Sequence, residues 1–146
     1  MPSAIAGIMD KVYAMTAFLN PCENSYARLG GNKAPGYISW STQNRSQLIR
    51  IPAADGDFVR AELRSPDPAA NPYVAFALMI YAGLEGIQQR AQLPESADIN
   101  LFSAPAEVLK KFKKLPGDLE EAKAAAAASG FVNEHLPAEL IELYCK

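Results

Sequence analysis

The sequence has no excess of charge of either sign. Fourteen Lys and Arg stand against sixteen Asp and Glu, a formal net charge of −2. That excludes the broad basic surface that binds nucleic acid or an acidic membrane. The one basic cluster, Lys110-Lys111-Phe112-Lys113-Lys114, reads as the solvated face of a short helix. Cysteine is scarce. Cys22 and Cys145 lie far apart, with neither a CxxC motif nor a metal-binding spacing. Reduced thiols and a cytoplasmic location are expected. No apolar run is long enough to span a membrane. Met1-Pro2-Ser3 lacks the basic start of a signal peptide. Internal repeats are absent. What remains is ordinary globular composition, 49% hydrophobic and 21% charged, which excludes a disordered chain. The length suits one domain over residues 1–146, with enough chain to bury a core.

Helical and strand periods divide that length. Ile5, Ile8, Met9, Val12 and Met15 form an apolar stripe, predicting a helix from Ala4 to Leu19. Asn20-Pro21 ends it, because proline disfavours helical geometry in the residue before it. A loop is expected through Pro35, with Gly30-Gly31 as its flexible point. Three strand-like runs follow, at 36–42, 47–51 and 58–64. In the second, Ile49 and Ile51 lie opposite Leu48 and Arg50. In the third, Val59, Ala61 and Leu63 lie opposite Phe58, Arg60, Glu62 and Arg64. Ala54-Asp55-Gly56-Asp57 reads as the turn of an antiparallel hairpin.

The remainder reads as helix. Asn71 and Pro72 are a good cap and first-turn residue for a helix to about Arg90, with Val74, Ala77, Leu78, Tyr81 and Leu84 facing inward. Residues 94–102 form a polar connector and 105–113 a short helix. Asp118 with Glu121 resembles a capping box for an alanine-rich helix ending near Gly130. A last amphipathic turn or two runs from Pro137 to Tyr144. His135, the single histidine, reads as a surface or helix-end residue. The fold class is α+β: a small antiparallel sheet of two or three strands with several helices packed on it. So narrow a sheet, charged on one face, usually continues into strands from elsewhere.

Arg60, Glu62 and Arg64 share a strand face at period two, and Arg45 and Arg50 lie on or beside the neighbouring strand. On a cleft wall, the carboxylate can hold a hard cation and the guanidiniums can grip carboxylate or phosphate oxygens. From spacing alone, a solvated, salt-bridged sheet face is the favoured reading.

The residues between these positions carry a resemblance. Asn24-Ser25-Tyr26-Ala27-Arg28-Leu29, Ala34-Pro35, Trp40-Ser41, Asn44-Arg45-Ser46 and Ile49-Arg50-Ile51-Pro52 resemble ordered motifs of glutamine synthetases. The longest match runs from Glu62 to Tyr73, ELRSPDPAANPY. Ala82-Gly83-Leu84-Glu85-Gly86-Ile87 and the stretch from Leu115 to Ala122 continue it. The resemblance implies the C-terminal part of a catalytic domain in an ATP-dependent glutamate–ammonia ligase of nitrogen metabolism. That ligase phosphorylates the γ-carboxylate of glutamate, and ammonia then displaces phosphate.

The resemblance also implies roles. Glu62 matches a ligand of one of two Mg²⁺ or Mn²⁺ ions. Arg28 and Arg64 match residues that grip glutamate and the γ-glutamyl phosphate. Arg45 and Arg50 match residues that stabilise ATP phosphates during transfer. Lys33 departs from the pattern, standing where the family carries a glutamate that accepts a proton from ammonium. The family's other metal ligands precede the matched segment, so this chain by itself is expected to be inactive. A stand-alone paralogue that binds nucleotide or a ligase subunit, or part of a γ-glutamyl-amine ligase, are the other readings. The resemblance implies double rings of subunits, and an open sheet edge suits dimers; a homo-oligomer or a missing N-terminal half are the two partner readings.

Overall fold

The computed structural model describes residues 1–31, 34–52 and 60–146. Lys33, the expected turn at 54–57 and the start of the third strand run lie outside the described residues.

Helix α1 (Pro2–Leu19) is the spine of the fold. Pro2 sits in its first turn, where a missing N–H costs little. The expected stripe is buried at Ile5, Met9, Val12 and Met15, and so are Ala6, Gly7, Thr16, Ala17, Phe18 and Leu19. Burial extends around the helix because α1 packs against both α3 (Pro72–Gln88) and α5 (Leu119–Ala127). At the crossing with α3 the two backbones touch. A Cβ on Gly7 would collide with the Ala82 carbonyl and approach Gly86 Cα to 2.7 Å, and a Cβ on Gly86 would strike the Ser3 carbonyl.

The segment after α1 is not the plain loop expected. It contains a short helix, α2 (Glu23–Arg28), with Ser25 and Tyr26 buried. Its six residues carry no apolar periodicity to announce it.

Three strands form the sheet among the described residues: β1 (Trp40–Ser41), β2 (Ile49–Arg50) and β3 (Glu62–Leu63), in that order. The α+β class holds, and β2 and β3 pair antiparallel as expected. The other pair corrects the expectation, because β1 and β2 run parallel and the sheet is mixed. A parallel pair needs a crossover rather than a tight turn, and residues 42–48 supply one held by side chains. Asn44 Oδ1 accepts from the Ser46 N–H and hydroxyl, both at 2.9 Å, and Gln47 Nε2 donates to the Ile99 carbonyl at 2.8 Å. The extended run at 36–42 is divided between partners. Its first half pairs with residues 113–115, through Ile38 N–H to Lys113 O at 2.8 Å and Leu115 N–H to Gly36 O at 2.9 Å.

Asn71 caps α3 as expected, accepting from the Tyr73 N–H at 3.0 Å. The helix ends at Gln88, and Arg90 takes the left-handed conformation usual for a helix-terminating glycine, with φ 50°. Val74 and Leu78 face inward with Ala75, Ala82, Gly83 and Gly86. Tyr81 and Leu84, expected inside, are exposed. Leu84 belongs instead to an outward stripe with Tyr73, Phe76, Ile80 and Ile87. Small residues make the closest approach to α1, because only they allow the backbones to touch.

The C-terminal part contains α4 (Ala106–Leu109), α5, α6 (Gly130–His135) and α7 (Ala138–Cys145). Asp118 caps α5 by accepting from the Glu121 N–H at 2.8 Å. Glu121 reaches back to the Gly117 N–H at 2.7 Å, one residue earlier than in a regular capping box. The unforeseen α6 starts at Ser129 and buries Phe131 and Val132. No helix among the described residues is long and apolar enough to cross a membrane.

Candidate active site

Register places the charged residues. Ile49 pairs with Leu63 and Arg50 with Glu62. Ile49 and Leu63 line an apolar hollow against Ile5 and Ile8 of α1 and Ala75 of α3. Alternation along each strand then sends Arg50 and Glu62 to the opposite face.

There they meet as a fork. Arg50 Nε donates to Glu62 Oε2 and Arg50 Nη2 to Oε1, both at 2.9 Å. Arg60 Nε lies 3.6 Å from Oε1. The Arg50 hydrogen bonds, with the charge of Arg60 adding, hold the Glu62 carboxyl below its ordinary range. Glu62 raises Arg50 in return.

Arg64 enters the same field. Its backbone N–H bonds to the Leu48 carbonyl at 2.9 Å, which anchors it to β2. Its guanidinium donates to the Arg45 carbonyl. Burial above all, then the charge of Arg50, pushes this guanidinium below its usual value; Glu62 opposes the shift and Arg45 adds to it. Arg45 itself is exposed, at the tip of the crossover built by Asn44, Ser46 and Gln47. Ser46 Oγ accepts from the Leu101 N–H at 2.8 Å, tying that crossover to the connector after α3. Two guanidiniums, Arg50 and Arg60, therefore meet the Glu62 carboxylate, with Arg64 in their field and the charge of Arg45 felt at Arg64. Such a surface suits multiply charged oxyanions.

Arg28 stands apart from that fork. Its Nη2 donates to Asn20 Oδ1 at 3.0 Å and to the Ser65 carbonyl at 2.6 Å, and its Nε lies 3.6 Å from Asp67 Oδ2. These contacts join the end of α1, α2 and the segment after β3. Sequence reasoning read Asn20 only as a helix stop and gave no task to Ser65 or Asp67. The signal for those two was their place inside the matched stretch from Glu62 to Tyr73. Lys33 lies outside the described residues.

His135 ends α6, the helix-end alternative of its expectation, with a side chain only 16% exposed. Its ring stacks on Tyr81 at 4.2 Å and meets the edge of Phe131 at 4.9 Å.

The cluster by itself does not fit a divalent metal. Mg²⁺ and Mn²⁺ want several oxygen ligands. Glu62 supplies one carboxylate, and Arg50 occupies both of its oxygens.

A family model described as the glutamine synthetase catalytic domain matches residues 1–146. The chain belongs to the glutamine synthetase family. It is 48% identical over 143 residues to the glutamine synthetase of Methanosarcina mazei, covering 96% of this chain and 32% of that protein. It is 46% identical over 121 residues to that of Thermotoga maritima, covering 81% of this chain and 28% of that protein. A solved GmaS/ADP complex matches with a TM-score of 0.84 and 30% identity, over 98% of this chain and 34% of that one. The chain thus spans about a third of the length of the relatives it matches.

Proposed function

We propose that this chain supplies the arginine-rich wall of the active site in an ATP-dependent glutamate–ammonia ligase. The pairing of Arg50 with Glu62 across β2 and β3, with Arg64 in the same field and bonded to the Arg45 carbonyl, carries this reading. Phosphoryl transfer spreads negative charge over oxygens, and fixed guanidiniums stabilise it without reorganising. Arg45 and Arg50 would take the ATP phosphates. Arg64 would hold the substrate carboxylate and the γ-glutamyl phosphate. The resemblance of residues 24–29 to a family motif supports a share in that grip for Arg28. Its contacts with Asn20, Ser65 and Asp67 favour a positioning role behind Arg64. Glu62 would be one metal ligand among several, the others lying outside this chain.

Two observations favour binding without turnover when the chain is alone. Glu62 is engaged by Arg50. The apolar stripe of Tyr73, Phe76, Ile80, Leu84 and Ile87 on α3 is exposed, as suits a face that further protein covers. The full activity is therefore proposed for a completed enzyme. The test is a chimera in which this chain replaces the matching third of the Methanosarcina mazei relative. ATP binding to the chain alone is the accompanying measurement. It should be weak, salt-sensitive and weaker still in Arg45→Ala and Arg64→Ala. ATP binding unchanged by both substitutions would contradict the assignment of this wall.

A further inference from the structure

A second group of ligand-type side chains stands away from the arginine cluster. α6 seats its buried Phe131 and Val132 against the helices, and this brings its last two residues, Glu134 and His135, beside Glu85 of α3. His135 Nε2 and Glu85 Oε1 are 2.9 Å apart. One ligand atom from each of Glu85, Glu134 and His135 lies within 4.8 Å of the other two.

We propose that Glu85, Glu134 and His135 form a binding site for a divalent ion of the Zn²⁺ class. Geometry, orientation and charge support it. A tetrahedral ion with bonds of about 2.0–2.1 Å sets its ligands about 3.4 Å apart. Here the His135–Glu85 pair must open by a few tenths of an ångström and Glu134, which is exposed, must swing inward. Two of the three ligands are already oriented. The imidazole is clamped between Tyr81 and Phe131. The Glu85 carboxylate is steadied by Lys11 Nζ, 3.5 Å from Oε2, and Lys11 is itself held by Asp10 at 2.9 Å. Outer groups that fix a ligand's orientation are what metal sites use to raise affinity. Two carboxylates converging on one imidazole also repel each other unless a cation lies between them. The same residues line a hollow of about 500 Å³, which leaves room for solvent in the fourth position.

The donor set chooses the metal. One imidazole nitrogen with two carboxylate oxygens favours Zn²⁺ or Co²⁺ over Mg²⁺ or Ca²⁺, and Mn²⁺ ranks lowest among the first-row divalent ions. The site is therefore distinct in chemistry as well as place from any metal held by Glu62.

The experiment is titration of the chain with Co²⁺, followed by its visible absorption, and with Zn²⁺ by calorimetry. One equivalent is expected, with the intense absorption of four-coordinate Co²⁺. His135→Ala should abolish it. Glu134→Gln, at an exposed position that cannot disturb packing, should weaken it at least about tenfold. Glu62→Gln should leave it unchanged. The absence of a stoichiometric Co²⁺ signal in the unaltered chain would overturn the proposal. So would affinity unchanged in Glu134→Gln, or a signal lost in Glu62→Gln.

Discussion

Arg50 and Glu62 face each other across β2 and β3 and are joined by two hydrogen bonds of 2.9 Å. The residue proposed to hold a metal is thus held by a guanidinium in this chain. Metal at Glu62 has to displace that fork. The isolated chain should therefore bind Mn²⁺ weakly. Arg50→Ala should raise the affinity severalfold by releasing the carboxylate. Calorimetry checks this, and tight stoichiometric Mn²⁺ binding that disappears in Glu62→Gln would contradict it.

Arg28 has a structural task that can be measured separately. Its fork satisfies Asn20 Oδ1 and the Ser65 carbonyl and lies against Asp67. Asn20 is fully buried and Ser65 nearly so, so Arg28→Ala leaves acceptors without partners. The expected loss is about 1–3 kcal/mol of unfolding free energy. Arg28→Lys should recover little, because one ammonium cannot reproduce the fork. Denaturant unfolding of the three proteins decides it.

The crossing of α1 and α3 depends on Gly7 and Gly86. Alanine in a helix gains about 1 kcal/mol over glycine. At Gly7 the new methyl would meet the Ala82 carbonyl and the Gly86 backbone, and overpacking costs about 1–3 kcal/mol or more. Gly7→Ala should therefore lower Tm. Gly130→Ala, where nothing lies within 4 Å, should leave it unchanged or raise it slightly. Equal responses at the two positions would contradict the close crossing.

Acid should weaken the start of α5. The Tyr13 hydroxyl, then the Gly117 N–H, holds Glu121 below the ordinary carboxylate range. Folding thus favours the ionised form. Its contribution is present above an unfolded value of about 4.3 and fades as pH falls through the lower folded value. Glu121→Gln should be less stable than the unaltered chain at pH 7, by under about 1 kcal/mol given its exposure. The gap should close in strong acid, as urea unfolding at the two pH values would show.

These residues show what could be read from sequence. Helical period found α1, and cap chemistry found Asn71 and Asp118, because both signals lie within a few neighbouring residues. Alternation put Arg50 with Glu62 on the charged face. Long-range partners were not legible. Nothing local shows that β1 runs parallel to β2, that Leu84 points outward while Gly86 points inward, or that Arg28 turns to Asn20 and Asp67. The partners of His135 were hidden for the same reason, since Tyr81 and Glu85 are some fifty residues away in sequence. The arginine cluster was found only because family motifs marked it; spacing alone favoured a solvated face.

Lys33 carries a prediction that rests on charge. In the chimera, a cation at a position where the resemblance implies a carboxylate should repel ammonium. Lys33→Glu should raise ammonia-dependent turnover, and unchanged or lower turnover would contradict the charge argument.

The central claim is that Arg45, Arg50 and Arg64 serve phosphoryl transfer in a completed ligase. The direct measurement is ammonia- and glutamate-dependent ADP release by the chimera with the Methanosarcina mazei relative, beside its Arg50→Ala and Arg64→Ala variants. The account predicts turnover in the chimera and a fall of about a hundredfold or more in each variant. A folded, assembled chimera that binds ATP but releases no ADP, or variants that turn over as fast as the chimera, would contradict it.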